Sequence, residues 1–205
     1  NSFDIRDDYN FDEIKKLFEK ELKNNKELLH SDFTVRMNSE SIHPIFSEII
    51  KKHIIPIENY LGKNFLFEKP LYWRNFFIDK KFEHFDIVSN VWHQDSHDGN
   101  KILKIFILPH DVDVTDGPLM YLSREDTKQN WPDLRERWSF NRKKGIKEFP
   151  NEKKLVGKAG RYLIIDTSRH MHRASIPSNW RDMYQITLYP KWRKGYDRFE
   201  YSGID

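Results

Sequence analysis

Two stretches of this 205-residue chain carry side chains that could hold a metal ion. Val91-Trp92-His93-Gln94-Asp95 sets a histidine and a carboxylate two residues apart, and Ser168-Arg169-His170-Met171-His172-Arg173 offers further histidines downstream. Side chains alternate across a strand, so His93 and Asp95 on one strand would share a face and could grip one ion. His172 follows Asp95 by 172 − 95 = 77 residues. Two imidazoles and a carboxylate on one side of an ion leave the opposite positions open, a ligand set that suits non-haem iron(II). A His-x-Asp pair alone recurs by chance, so its setting must decide. His170 and His172 would share a strand face, and the geometry of the sequence does not choose between them. His97 is a further rival that would close the site as a fourth ligand.

Composition narrows the classes. The chain has 35 basic and 32 acidic residues, net charge +3, too balanced to mark a nucleic-acid binder. It has no cysteine, which excludes disulfide frameworks, thiolate zinc sites, iron–sulfur clusters and a cysteine nucleophile. No run of eighteen apolar residues occurs, and Asn1-Ser2-Phe3-Asp4-Ile5-Arg6 lacks the apolar centre of a signal peptide. The expectation is a cytoplasmic protein with no membrane or nucleic-acid partner. Its length fits a single domain that can bury a core unaided. Aromatics at 15% could build that core or line a cavity.

The elements that would position these residues fall in two regions. Residues 1–64 read as helical. Asn10 and Glu13 resemble a helix start, with Phe11, Ile14, Leu17, Phe18 and Leu22 at helical spacing. Pro44 would open a second helix over Ile45, Phe46, Ile49, Ile50 and Ile54, and Pro56 should end or kink it. His43 and His53 sit at its ends. Residues 65–192 read as short strands: Leu71–Ile78, Phe85–Trp92, Ile102–Leu108, Leu119–Leu122, Gly160–Asp166 and Met183–Tyr189. Asp116-Gly117-Pro118 is turn chemistry. Strands punctuated this way indicate a sandwich or barrel. Between residues 123 and 155 the strand signal lapses, apart from a short helix over Asn130–Trp138, and an insertion this long is a candidate lid. Its Arg142-Lys143-Lys144 run reads first as a solvated charge cluster.

The flanking residues add a resemblance. Trp92-His93-Gln94-Asp95, the run Leu103-Lys104-Ile105-Phe106-Ile107-Leu108, Asp111-Val112-Asp113 and Asp116-Gly117-Pro118-Leu119-Met120-Tyr121 come in order. Gly160, Ile165-Asp166-Thr167-Ser168, His172-Arg173-Ala174-Ser175 and Arg181 follow. This series, over roughly residues 70 to 190, resembles the phytanoyl-CoA dioxygenase-like branch of the iron(II)/2-oxoglutarate-dependent oxygenases. The resemblance implies a double-stranded β-helix, or jelly roll, with N-terminal helices packed outside. It implies iron(II), 2-oxoglutarate as cosubstrate and O2, with decarboxylation to succinate coupled to hydroxylation or a related oxidation of a small organic molecule. On the same footing His93, Asp95 and His172 become the metal ligands and catalytic residues. The family's histidine–arginine–small pattern selects His172 over His170. Arg181, nine residues on, pairs with the far carboxylate of the cosubstrate, a task its permanent planar charge suits. Asp95, in place of glycine or alanine, speaks against the halogenating relatives.

Two further cosubstrate-binding candidates are Lys104 and Asn90. For Lys104 an outward-facing strand lysine is the plainer expectation, and Asn90 falls on the face opposite His93 if the pleat is regular. Trp92 also faces away from His93, which suggests a core residue. Two other functions compete: a cupin-like zinc or manganese isomerase or hydrolase without redox chemistry, and a binding module that kept the fold alone. A buried arginine facing the metal across a cosubstrate-sized gap separates the first of these from an oxygenase.

Overall fold

The computed structural model describes residues 2–5, 10–24, 29–31, 33–79, 90–95, 101–134 and 148–191. In chain order the strands and α-helices are β1 (Ser2–Asp4), α1 (Phe11–Asn24), β2 (Leu29–Ser31), β3 (Thr34–Asn38), α2 (His43–Lys52), α3 (Ile54–Leu61), β4 (Leu66–Phe67), β5 (Leu71–Phe76) and β6 (Leu103–Ile107). There follow β7 (Leu119–Tyr121), α4 (Arg124–Leu134), β8 (Lys153–Leu155), β9 (Arg161–Asp166), β10 (His172–Ala174) and β11 (Trp180–Tyr189). One antiparallel sheet has the order β1-β9-β6-β11-β5-β3-β2, with β4 also on β11; a second has the order β10-β7-β8. Crossing back and forth between two facing sheets makes this a jelly roll.

Alternation along β11 divides the interior into two compartments. Tyr184, Ile186 and Leu188 point outwards from the barrel and pack with Ile105, Ile107 and Tyr162 against Phe18 of α1, Phe46 and Ile49 of α2, and Ile57 of α3. Met183 points inwards, where Phe106, Leu163 and Ile165 meet Leu119 and Leu155 of the smaller sheet. A third cluster, Trp92, Met120, Leu122, Phe149 and Met171, covers the outer side of the smaller sheet. The abundant rings therefore serve mainly as core, and Trp92, 1% exposed, lies there as expected.

The helical layer is also tied to the large sheet by charge. Asp182 is fully buried and accepts from Arg74 Nε at 2.7 Å and Nη2 at 2.9 Å, and from the Tyr72 hydroxyl at 2.5 Å. Arg74 Nη2 also meets Glu19 of α1 at 2.6 Å, and its guanidinium lies 4.3 Å from the Trp180 ring centroid. The two buried charges, Arg74 and Asp182, match each other and Glu19 is partly exposed to water, so the cluster lies between helix and sheet without a stranded buried ion.

Several expected boundaries move. The second helical stretch divides at His53, not at Pro56. Pro56 sits in the first turn of α3, where its missing N–H leaves no intrahelical bond unmade. His53 joins α2 to α3 as a helix-end residue and bonds the Tyr162 hydroxyl through Nε2 at 2.9 Å. The N-terminal region also contributes strands, because β1, β2 and β3 extend the large sheet on both edges. Of the strand expected over Phe85–Trp92, residues 85–89 lie outside the described residues, and Asn90 to Trp92 are not strand. The helix expected from Asn130 begins at Arg124 instead. Ser123 caps it, accepting from Asp126 N–H at 3.0 Å while donating to the Asp126 carboxylate at 2.6 Å. His97 and the Arg142-Lys143-Lys144 run lie outside the described residues. Among the described residues no helix is long and apolar enough to cross a membrane.

The entry to β7 is locked to the exit of β10. Ser175 N–H donates to Pro118 O at 3.1 Å, its hydroxyl to the same oxygen at 2.6 Å, and Ser178 N–H to Thr115 O at 3.1 Å. Gly117, at φ +72°, permits this approach: a Cβ there would stand 2.5 Å from Pro177 N and 2.7 Å from Ser175 O. Gly117→Ala combines left-handed strain with a backbone clash, and should lower stability by about 2–4 kcal/mol. Chemical denaturation checks this, and a midpoint close to that of the parent chain would show that the two segments are not interlocked.

Candidate metal centre

His93 and His172 come from opposite ends of the barrel sequence and are joined by backbone. Each N–H donates to the other's carbonyl, at 3.1 and 3.0 Å, an isolated antiparallel bridge on the edge of β10. On its other side His172 pairs with Tyr121 of β7. Asp95 N–H donates to Thr167 O at 3.1 Å, which anchors the carboxylate to the turn after β9. His93 and Asp95 thus converge through a bridge and a bend, not through one continuous strand.

His93, Asp95 and His172 form a group whose potential ligand atoms all lie within 4.8 Å of one another. His93 Nε2 is 3.8 Å from Asp95 Oδ1, His172 Nε2 is 3.7 Å from Oδ2, and the ring centroids are 4.3 Å apart. Both imidazoles are oriented by their own backbone. His93 Nδ1 lies 2.7 Å from Val91 O and His172 Nδ1 3.1 Å from His170 O. A carbonyl only accepts, so each Nδ1 carries a proton, and in the neutral ring Nε2 then presents the lone pair that a metal needs. His172 is buried, while His93 and Asp95 are partly buried.

Asp95 is ionised. Burial alone would raise its carboxyl, but the Lys104 ammonium beside it holds it well below the usual carboxylate range. Lys104 Nζ lies 2.9 Å from Asp95 Oδ2. That contact is an ion pair without hydrogen-bond alignment, so Oδ2 remains a buried acceptor with no hydrogen bond. Two lone-pair nitrogens and an ionised oxygen within reach of one point are a donor set that fits a divalent cation.

Lys104 therefore does not point outwards. Its neighbours Leu103, Ile105 and Ile107 face the helices, so alternation turns Lys104 and Phe106 into the barrel. His170 does not join the group: it sits in the turn before β10, not on the strand, and its Nδ1 is 2.9 Å from Asp166 O. Asn90 is buried beside Val91, and no described contact connects it with the triad.

Arg181 lies on the inner face of β11, the face of Met183, opposite Asn75 of β5. It is 4% exposed, and its Nε has no hydrogen-bond partner. Burial pulls its guanidinium down to about 10, opposed only by Asp182 on the other side of the strand. Thr187, opposite Lys104, and Arg181 are six residues apart on β11, an even number that puts both on one face. Gln185 and Thr187 are the inward polar residues between, with Gln185 Nε2 3.4 Å from Thr187 Oγ1. A cationic end and a metal-ligating end thus face one barrel interior.

No family model and no curated protein matches the chain. Solved structures do. HygX from Streptomyces hygroscopicus with nickel and 2-oxoglutarate bound superposes with a TM-score of 0.56 at 17% identity, over 93% of this chain and 83% of that one. Its iron-bound form gives 0.54 at 14% over the same shares. A prolyl-4-hydroxylase from Pseudomonas putida gives 0.53 at 10% identity, over 95% of this chain and 93% of that one. The likeness is one of fold.

The residues that sequence reasoning passed over are Thr167, Gln185, Thr187 and the inward pose of Lys104. Alternation could have found three of them. A lone lysine among Ile102, Leu103, Ile105, Phe106, Ile107 and Leu108 belongs to a strand buried on both faces, so it needs an anion. A metal at this centre depends on His172 and not on His170. Cobalt(II) titration followed by visible absorption should show His172→Ala weakening binding by roughly a hundredfold or more, with His170→Ala far milder. The reverse ranking would move the centre.

Proposed function

We propose that this chain is a non-haem iron(II)/2-oxoglutarate-dependent oxygenase acting on a small organic substrate, in the phytanoyl-CoA dioxygenase-like branch that its sequence resembles. The observation that carries this reading is the pairing of two features inside one barrel: a two-histidine, one-carboxylate triad and, on the same inner surface, a buried arginine whose Nε has no hydrogen-bond partner and which has no ion pair among the described residues. A metal site without redox chemistry has no use for that arginine, whereas a chelating dicarboxylate needs it. The solved structures of like fold support the reading, since HygX was captured with nickel and 2-oxoglutarate.

In this reading His93, Asp95 and His172 hold the metal, and Arg181 receives the far carboxylate of 2-oxoglutarate. Iron(II), 2-oxoglutarate and O2, when bound, would supply the oxidation: the acid would lose CO2 and become succinate with one oxygen atom of O2, and the other would hydroxylate or similarly oxidise the substrate. The chain's own residues prepare for it. Val91 O and His170 O hold both imidazoles in the ligating orientation, and Lys104 keeps Asp95 ionised. A ligating face on one side of the metal leaves the opposite positions open for the acid and for O2. Arg181 offers an oriented guanidinium whose desolvation was completed on folding, so an arriving carboxylate meets a charge that is little screened by water.

Two measurements test this. Adding 2-oxoglutarate to the iron(II)-loaded protein under anaerobic conditions should give a visible charge-transfer band, which Asp95→Ala should lack. A folded, metal-loaded protein without that band is not a 2-oxoglutarate oxygenase. Arg181→Met should weaken 2-oxoglutarate by about a hundredfold, the loss expected when one partner of a buried charge pair is removed. The same variant without ligand should be as stable as the parent or about 1–3 kcal/mol more so, because an unmatched buried charge has gone. If affinity holds and stability falls, the arginine is structural.

A further inference from the structure

Lys104 raises a question of charge that the proposed function leaves open. It is the cation nearest the triad, 2.9 Å from Asp95 Oδ2, and its side chain is 16% exposed. Asp95 is the only anion of the triad, so its charge is already matched before any metal arrives. Position is also held by the backbone, since Asp95 N–H donates to Thr167 O at 3.1 Å. Lys104 is therefore not needed to place the carboxylate. Its contribution is electrostatic.

We infer that Lys104 is a positioning residue that acts through Asp95 to make metal binding depend on the 2-oxo acid, a role that rests on the oxygenase reading. With Asp95 neutralised by Lys104 and both imidazoles uncharged, a divalent ion adds two positive charges that no side chain of the triad offsets. Arg181 adds another farther along the barrel. Repulsion between the ion and the ammonium in a site shielded from water keeps the metal alone weakly bound. An incoming 2-oxo acid brings carboxylates that relieve this excess, so each ligand strengthens the other by the same factor. The arrangement favours assembly of the complete metal–acid centre over accumulation of metal without cosubstrate.

The test compares cobalt(II) affinity, read from visible absorption, in the parent chain, Lys104→Met and Lys104→Arg, with no acid, with pyruvate and with 2-oxoglutarate. Lys104→Met should bind cobalt alone about tenfold or more tightly than the parent, a change on the scale of altered outer-sphere partners. The gain in cobalt affinity produced by either acid should shrink in Lys104→Met by a similar factor. Lys104→Arg, which keeps the charge, should behave like the parent. Cobalt affinity unchanged or weakened in Lys104→Met overturns the inference, as does failure of Lys104→Arg to restore the parent behaviour. A loss of coupling confined to 2-oxoglutarate and absent with pyruvate also overturns it, because Lys104 would then serve the far carboxylate directly. If neither acid affects the parent, the oxygenase reading fails, while tighter cobalt binding by Lys104→Met still supports the electrostatic role.

Discussion

The centre depends on one pair of backbone hydrogen bonds, between His93 and His172. Each is worth only about 1 kcal/mol net, so their importance lies in geometry. They place two imidazoles from distant parts of the chain on adjacent backbones, and the register of the sheet, not the choice of rotamer, decides the spacing. The surrounding structure protects that register. Leu122 N–H donates to Met171 O at 2.9 Å, and Met171 N–H donates to the Thr127 hydroxyl of α4 at 3.1 Å. The insertion that begins with α4 thus buttresses the residue next to His172, whatever else it does. Asp95 completes the centre, its N–H anchored to the turn after β9, which Asp166 organises by accepting from Ser168 N–H at 2.9 Å.

The large sheet separates two jobs with one device. On its outer face buried charge is fully matched, as Arg74, Asp182, Glu19 and Tyr72 show. On its inner face charge is left unmatched at Arg181. Among the described residues one buried arginine is thus neutralised by a carboxylate and another is not. The contrast weighs more than either residue alone, because both lie on paired strands of one sheet.

Much of the fold was legible because the long strands carry their own signal. Leu103 to Ile107 and Met183 to Tyr189 are buried at nearly every position and rich in apolar residues, and turn residues bound them. The triad was legible as residue types and spacing. Less visible were β1, β4 and β8, two- and three-residue strands that exist because a neighbour offers an edge, so local periodicity cannot reveal them. Pro56 misled because proline ends a helix interior but is harmless in a first turn, and only the break at His53 says which applies. His170 remained a rival because sequence spacing assumed a strand where the chain makes a turn. Lys104 was misjudged for a different reason: its partner lies on another segment, and side-chain alternation needs a reference face before it can assign one.

β11 also reads as a frame. Its alternation puts Asp182 against Arg74 on one side and Arg181 into the barrel on the other. A single-residue insertion or deletion between His172 and Trp180 would be taken up either by the loop or by the strand. If the strand slipped, the carboxylate would enter the barrel and the guanidinium would enter the helical layer beside Arg74, so both compartments would fail at once. Length changes must therefore be absorbed before Trp180. The number of residues between His172 and Trp180 can change without disturbing this alignment, but the adjacency of Arg181 and Asp182 cannot. In that sense the ion pair on the outside of the sheet acts as a key, and the inner surface inherits its alignment from a contact it never touches.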